Sequence, residues 1–281
     1  MLRSSAASGL VLATQKLDGI TGRGTRFERV PRARTPLPPP LPPETRTVGQ
    51  LVAEALKLYG ARFWPALALG IGPAIFGVAD SELDGAARAI FDVVVGPLVF
   101  AASYGGAVAL VKPIGRGRYV LVALATGSIA FLPICLARLF SDFPGINLMA
   151  VAWLAFFCLA APAALVERRG FLDALRRGVQ LARADYIHVL GSLATLIITI
   201  FLTGLVLFFS LRELSDQALR VAALLALLVL TPVFLLGAAI LYVDQEARVE
   251  SSPRPRRRRD ADIHSAFESD GAGRSDTEGK P

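Results

Sequence analysis

The feature that most constrains this chain is a series of apolar blocks, each about 20 residues long, separated by short polar links. A helix of that length crosses the roughly 30 Å hydrocarbon core of a bilayer. The blocks predict six membrane spans, at residues 61–79, 89–111, 119–139, 146–166, 187–211 and 221–243. Only 19% of the chain is charged and 53% is apolar, so it resembles membrane proteins more than soluble ones. We therefore expect an all-α integral membrane protein, a six-transmembrane-helix bundle.

The links between the blocks alternate in charge. Residues 112–118, after the second block, and residues 167–186, after the fourth, are rich in basic side chains. The other links are acidic or balanced, as in "DSELDGAARAIFD" after the first block. By the positive-inside rule the basic links and both termini are cytoplasmic, which also requires an even number of spans. Arginine far outnumbers lysine and alanine is abundant, a composition typical of bacteria, so we expect a multi-pass protein of the bacterial inner membrane.

Both ends of the chain have the composition of disordered segments. Residues 1–46 are rich in arginine and proline, including "TPLPPPLPPETR", and such segments stay extended without building a core. Residues 249–281 are polar and contain "RPRRRR", which serves as a topology anchor or attracts anionic lipid. The sequence thus predicts a membrane domain over residues 47–248 between two disordered tails.

Two amphipathic helices are predicted to lie in the plane of the membrane interface. The first covers residues 47–60 and begins with a capping box of Thr47 and Gln50. The second covers residues 168–186, with an arginine-rich face opposite an apolar stripe formed by Leu172, Leu175, Val179, Ala182 and Tyr186. The candidate contacts to anionic lipid headgroups are Arg168, Arg169, Arg176, Arg177 and Arg183.

Few side chains in this chain are of the kind that carries catalysis or binds a metal. The two histidines, His188 and His264, are far apart, and no paired His or Cys ligands occur. The sequence therefore predicts no catalytic residue, no metal site and no cofactor. The net charge of +7 has no basic patch interleaved with aromatic residues, so no nucleic-acid partner is expected.

The fifth block carries hydroxyl side chains at spacings of three and four, which place them on one helical stripe. They are Ser192, Thr195, Thr199 and Thr203. In one interpretation they line a polar path or meet a lipid headgroup. In the other, which we favour, they bond to their own backbone or to a neighbouring helix.

Three segments carry a resemblance to a known family. They are "PAALVERRGFLDALRRGVQLARADYIHVLGSL" with Pro162, Glu167, Gly170, Ala174, Leu175 and Leu181, "TVGQLVAEALKLYGARFWPAL", and "LYVDQEAR" with Tyr242, Asp244 and Arg248. Over about residues 47–248 the chain resembles a bacterial family of six-span proteins related to the membrane domain of glycerophosphoryl diester phosphodiesterases. The resemblance implies a six-span fold without an agreed activity. In the phosphodiesterases a separate barrel domain performs catalysis, so we do not expect that activity here.

These observations predict a non-enzymatic membrane protein that organises or helps traffic membrane lipid or envelope components. Its expected partners are membrane lipids with anionic headgroups, together with membrane or envelope proteins. The alternative is a transporter or permease-like protein with a polar path lined by the fifth span.

Overall fold

The computed structural model describes residues 42–115, 117–140, 144–212 and 215–251, which belong to one compact unit. Within these ranges the chain is helical, without a strand. After a short 3₁₀ turn at Pro43–Thr45, the helices are α1 Val48–Ala61, α2 Phe63–Ala68, α3 Ile71–Ser81, α4 Gly85–Val111, α5 Arg118–Leu139, α6 Pro144–Phe157, α7 Ala160–Val166, α8 Phe171–Ala184, α9 Tyr186–Leu211 and α10 Asp216–Ser251.

The predicted number of spans is confirmed. Six helical stretches in the described residues are long and apolar enough to cross a membrane, and they coincide with the six apolar blocks. The all-helical fold class is confirmed with them, whereas membrane insertion itself stays a prediction. Most of both predicted tails lies outside the described residues. Residues 42–46 and 249–251, which composition assigned to the tails, belong to the folded unit.

Two of the six spans are broken helices. The first span consists of α2 and α3, and the fourth consists of α6 and α7. In each case a proline follows the break: Pro73 is four residues after Leu69, and Pro162 is four residues after Cys158. A proline has no N–H to donate to the carbonyl four residues earlier, so the helix is interrupted there.

Prolines inside the continuous spans free carbonyls that other helices then use. Pro133 in α5 leaves the carbonyl of Ile129 without its helical donor. The indole Nε1 of Trp153 in α6 donates to that carbonyl at 3.0 Å. The freed groups thus become contacts between neighbouring helices.

A second freed carbonyl is that of Leu228, four residues before Pro232 in α10. Gly70, at the break between α2 and α3, packs so closely against it that a Cβ on Gly70 would lie 2.1 Å from the Leu228 oxygen. Only a residue without a side chain allows the first and sixth spans to approach this closely.

Each amphipathic helix enters the next span through one non-helical residue. Arg62 (φ −124°, ψ 48°) separates α1 from α2, and Asp185 (φ −151°, ψ 71°) separates α8 from α9. Arg62 Nη1 donates to the carbonyl of Leu110 near the end of the second span at 2.9 Å. Asp185 accepts from Arg248 near the end of the sixth span at 2.8 Å. Each junction is therefore held by the end of the span after the one it leads into. The second span holds the α1–α2 junction, and the sixth span holds the α8–α9 junction.

The start of α1 agrees with the predicted capping box, because Thr47 N donates to Oε1 of Gln50 at 3.0 Å. The buried face of α8 differs from the predicted apolar stripe. It consists of Ala174, Gly178, Leu181 and Ala182, whereas Leu172 is 63% exposed. The reason is steric: a Cβ on Gly178 would lie 2.7 Å from the backbone nitrogen of Ala160, so small side chains let α8 pack tightly on α7.

The fifth span, α9, is the least embedded in the bundle. Only 17% of its apolar window is buried, against 61% in the sixth span. The buried residues Val189, Ser192, Leu193 and Leu196 all lie in its first half. The second half of α9 is largely exposed, and its Leu207 and Phe208 line a pocket together with Ala222 and Ala223 of α10.

We predict that Gly70→Ala strongly destabilises the fold, because the new methyl group meets the Leu228 backbone, which cannot move aside as a side chain can. Overpacking of this kind typically costs about 1–3 kcal/mol. Gly191→Ala is the matched control, since Gly191 lies inside α9 with no atom within 4 Å of the new Cβ. Thermal unfolding in detergent, followed by circular dichroism, measures both. Equal melting temperatures for the two variants would contradict this account of the contact.

Candidate functional site

The last three turns of α10 carry polar side chains that follow a long apolar stretch of the same helix. Tyr242 and Glu246 are four residues apart and share one face, while Asp244 and Arg248 share another. Tyr242 and Asp244 are buried, with exposures of 1% and 0%. Buried polar groups require partners, and these four find theirs on segments that are distant in sequence.

The face formed by Tyr242 and Glu246 contacts the two basic links predicted from the sequence, residues 112–118 and 167–186. The hydroxyl of Tyr242 donates to Oε1 of Glu167 at 3.0 Å. Lys112 forms an ion pair with Glu246, and its ammonium lies 5.9 Å from the centre of the Tyr242 ring. The links after the second and fourth spans are thereby fastened to the end of the sixth.

Glu167 is also bound by two arginines. Arg169 Nε contacts it at 2.5 Å and Arg177 Nε at 2.9 Å. Burial pushes the pKa of Glu167 upward, but the hydrogen bonds from Arg177 and Arg169 outweigh it and hold the pKa below the ordinary value. The carboxylate is therefore ionised at neutral pH and accepts from Tyr242.

The face formed by Asp244 and Arg248 holds the start of the fold and the α8–α9 junction. Asp244 is paired with Arg46, whose Nη2 also contacts Glu54 of α1 at 3.0 Å. Arg248 donates to Asp185 and, at 2.9 Å, to the carbonyl of Arg46. We call Arg46, Lys112, Glu167, Asp185 and residues 242–248 the α10 cluster.

A second charged cluster lies at the other end of the bundle, where the first three spans end or begin. Asp80, only 2% exposed, accepts two hydrogen bonds from Arg88, both at 3.1 Å, and one from Arg138 at 2.5 Å. Asp92, 1% exposed, lies 3.8 Å from Nη1 of Arg138. We call these four residues the Asp80 cluster.

A cavity of about 640 Å³ lies between the middle of α9 and the rest of the bundle. It is lined mainly by aliphatic and aromatic side chains of five spans, among them Phe100, Ile134, Val151, Ile198, Phe201 and Phe234. Asn147 and Thr231 are the polar side chains in its lining. Because Ile198 and Phe201 are 55% and 65% exposed, the cavity opens on the side of the bundle. We call it the α9 groove.

The predicted headgroup arginines fall into two groups. Arg169 and Arg177 are engaged with Glu167 inside the fold. Arg168, Arg176 and Arg183 are exposed on the outside of the segment. The backbone of Arg168 has a φ of 56°, in the left-handed region common just after a helix end.

The predicted hydroxyl stripe is divided between two environments. Thr195, Thr199 and Thr203 are exposed, and each donates to the carbonyl four residues earlier in α9 at 2.8 Å. Ser192 is fully buried, and its Oγ has no hydrogen-bond partner among the described residues. The threonine bonds agree with the interpretation favoured from the sequence.

Sequence reasoning missed the Asp80 cluster and the α9 groove. Asp92 belongs to the segment that was interpreted as an acidic link, but it lies inside α4, and Arg138 lies inside α5. The sequence did contain a signal for the Asp80 cluster, namely opposite charges near the facing ends of consecutive spans. The groove had no such signal, because its lining consists of ordinary span residues.

Comparison with known proteins adds no relative: no family model, curated protein or solved structure matches the chain. The function must therefore be argued from the chemistry of the clusters and the groove themselves.

We predict that Asp244→Asn lowers the stability of the folded state by about 3 kcal/mol, because the buried Arg46 loses its fully buried partner and keeps only the partly exposed Glu54. The double variant Arg46→Met/Asp244→Leu removes both charges and should recover most of the loss. Thermal unfolding in detergent measures both variants. Glu82→Gln serves as a control, since it removes one member of an exposed pair, 3.9 Å from Arg220. A double variant no more stable than Asp244→Asn would show that the charge pair is not the cause.

Proposed function

We propose that this protein binds a membrane lipid in the α9 groove and, without catalysing a reaction, helps organise or move lipid or envelope components. The observation that carries the proposal is the side opening of an apolar groove among helices long enough to span a membrane. At that depth the surroundings of a bundle are acyl chains rather than water. An apolar cavity open to them favours a hydrocarbon chain as its occupant.

The size and lining of the groove support this proposal. Its volume of about 640 Å³ falls within the roughly 300–1,000 Å³ of ordinary small-molecule sites. Such sites combine an apolar lining with a few polar groups, here Asn147 and Thr231. An amphiphile with its chain along the phenylalanine and isoleucine side chains fits this distribution.

The transporter alternative has less support. A polar path along the fifth span requires hydroxyls that are free to meet a solute. The three threonines instead donate to their own helix, and Ser192 is the member of the stripe whose buried hydroxyl has no hydrogen-bond partner among the described residues.

We also propose that the chain is a member of the six-span family related to the membrane domain of glycerophosphoryl diester phosphodiesterases. Tyr242, Asp244 and Arg248, on which the resemblance partly rests, each bind a distant segment in the α10 cluster. A structural role for these residues supports reading them as a motif rather than as chance matches.

We propose further that the α10 cluster lies on the cytoplasmic side of a bacterial inner membrane. The basic links at Lys112 and Arg169 contact this cluster, so the side chains counted by the positive-inside rule gather at one end. The exposed Arg168, Arg176 and Arg183 would then meet anionic headgroups of the cytoplasmic leaflet.

Cysteine labelling in whole cells tests this orientation. With Cys135 and Cys158 replaced, we expect Glu82→Cys to react with a membrane-impermeant maleimide in intact cells. Arg176→Cys should react only after the cells are permeabilised. Both positions are exposed, Glu82 at 70%, so accessibility in the fold does not bias the comparison. The reverse pattern would overturn the proposed orientation.

Filling the groove tests the lipid proposal. Val151→Trp places an indole in the groove, and we expect it to remove the phospholipid that stays bound to the purified protein. Leu148→Trp adds the same side chain to the same helix at a position that is 72% exposed and outside the lining. Native mass spectrometry counts the bound lipids. Equal retention by the two variants would refute binding in the groove.

A further inference from the structure

We propose that the occupant of the α9 groove is a phospholipid and that Arg138 binds its phosphate. This inference rests on the proposed function, that the groove holds a lipid chain, and adds the chemistry of the headgroup. It connects the α9 groove with the Asp80 cluster, two features that sequence reasoning missed.

The position of Arg138 follows from the helix that carries it. Ile134 and Ala137 line the groove, and Arg138 is four residues after the first and next to the second. Residues four apart in a helix lie on the same face, so Arg138 lies one turn beyond Ile134 on that side of α5, next to the groove lining rather than within it. Since α5 ends at Leu139, that turn is at the membrane boundary, the depth of a lipid headgroup.

The guanidinium of Arg138 has donors to spare. It has five N–H bonds, and among the described residues it makes one hydrogen bond, from Nη2 to Asp80 at 2.5 Å. Its Nη1 is 3.8 Å from Asp92, beyond hydrogen-bonding distance. The side chain is 41% exposed. The remaining N–H groups can make the paired bonds to a phosphate that arginine favours.

Two contacts hold this guanidinium in place before a lipid arrives. Asp80, which is almost fully buried, fixes one edge. The ring of Phe76 lies 5.5 Å from the guanidinium carbon. Phe76 also contacts Phe100, a groove residue, with the ring centres 6.0 Å apart. An arginine that is already ordered loses little conformational entropy when it binds a phosphate.

The groove offers a second polar group at the same end. Asn147 belongs to the first turn of α6, the helix that follows α5 in the chain, and is exposed. Its amide can donate to a phosphate or ester oxygen. The polar end of the groove thus matches the phosphate and ester region of a phospholipid, and the apolar remainder matches an acyl chain.

A competition experiment on the wild-type protein tests this inference. The protein in detergent is offered equal amounts of dioleoyl phosphatidylcholine and dioleoyl glycerol, which have the same chains and differ in the phosphate-bearing headgroup. Native mass spectrometry measures the bound ratio. We expect a preference for the phospholipid of at least about tenfold, the factor typical of a charge-assisted hydrogen bond. Equal binding would overturn the phosphate assignment while leaving the lipid groove intact, whereas binding of neither lipid would refute the proposed function.

Variants identify the residue responsible. Arg138→Gln should lose the preference, and Arg138→Lys should keep part of it, because lysine retains the charge but not the two-pronged geometry. Arg220→Gln is the matched control, since Arg220 is an 80% exposed arginine paired with Glu82 and absent from the groove lining. A folded Arg138→Gln that prefers the phospholipid as strongly as the wild type would overturn the assignment. If Arg138→Gln does not fold, Arg138→Lys provides the test. A preference for the phospholipid as strong as that of the wild type would then overturn the assignment.

Discussion

The interaction on which the rest of the structure depends is the pairing of Asp244 with Arg46 at the end of α10. Both side chains are buried, so losing either one leaves a charge in the fold with less compensation; Arg46 would keep only Glu54, which is partly exposed. Arg248, one turn further, binds Asp185 and the carbonyl of Arg46. Through these contacts the final span fixes the position of Arg46, at the start of the fold, and of the α8–α9 junction, from which the fifth span begins.

The α9 groove follows from the same arrangement. The first half of α9 is anchored at Asp185 and buried around Leu193. From Ile197 to Phe201 the helix borders the cavity that Phe100, Ile134 and Phe234 also line. In a soluble protein such a gap would be closed by the hydrophobic effect, but acyl chains solvate an apolar helix as well as another helix does. A gap beside α9 would therefore be tolerated in a membrane, where the lipid chain proposed above would fill it.

Much of the fold was predictable because it depends on local composition. The six spans, their helical state and the capping box at Thr47 each follow from a few neighbouring residues, and all three agree with the structure. The buried face of α8 did not follow, because hydrophobicity ranks leucine above alanine and glycine, whereas close packing favours the reverse. Arg46 was assigned to a tail for a different reason. Its partner Asp244 is 198 residues away in the sequence, so no local pattern indicates the pair.

The sequence by itself determined the number of apolar blocks, the alternation of charge between the links, and the presence of only two histidines and two cysteines, since these depend on residue type and order alone. The tertiary structure decided which charges meet, where Arg138 lies relative to Asp80, and where α9 leaves a groove. Those properties depend on the approach of helices that are distant in sequence. That approach is set by small contacts such as Gly70 against Leu228, which hydropathy and periodicity do not record.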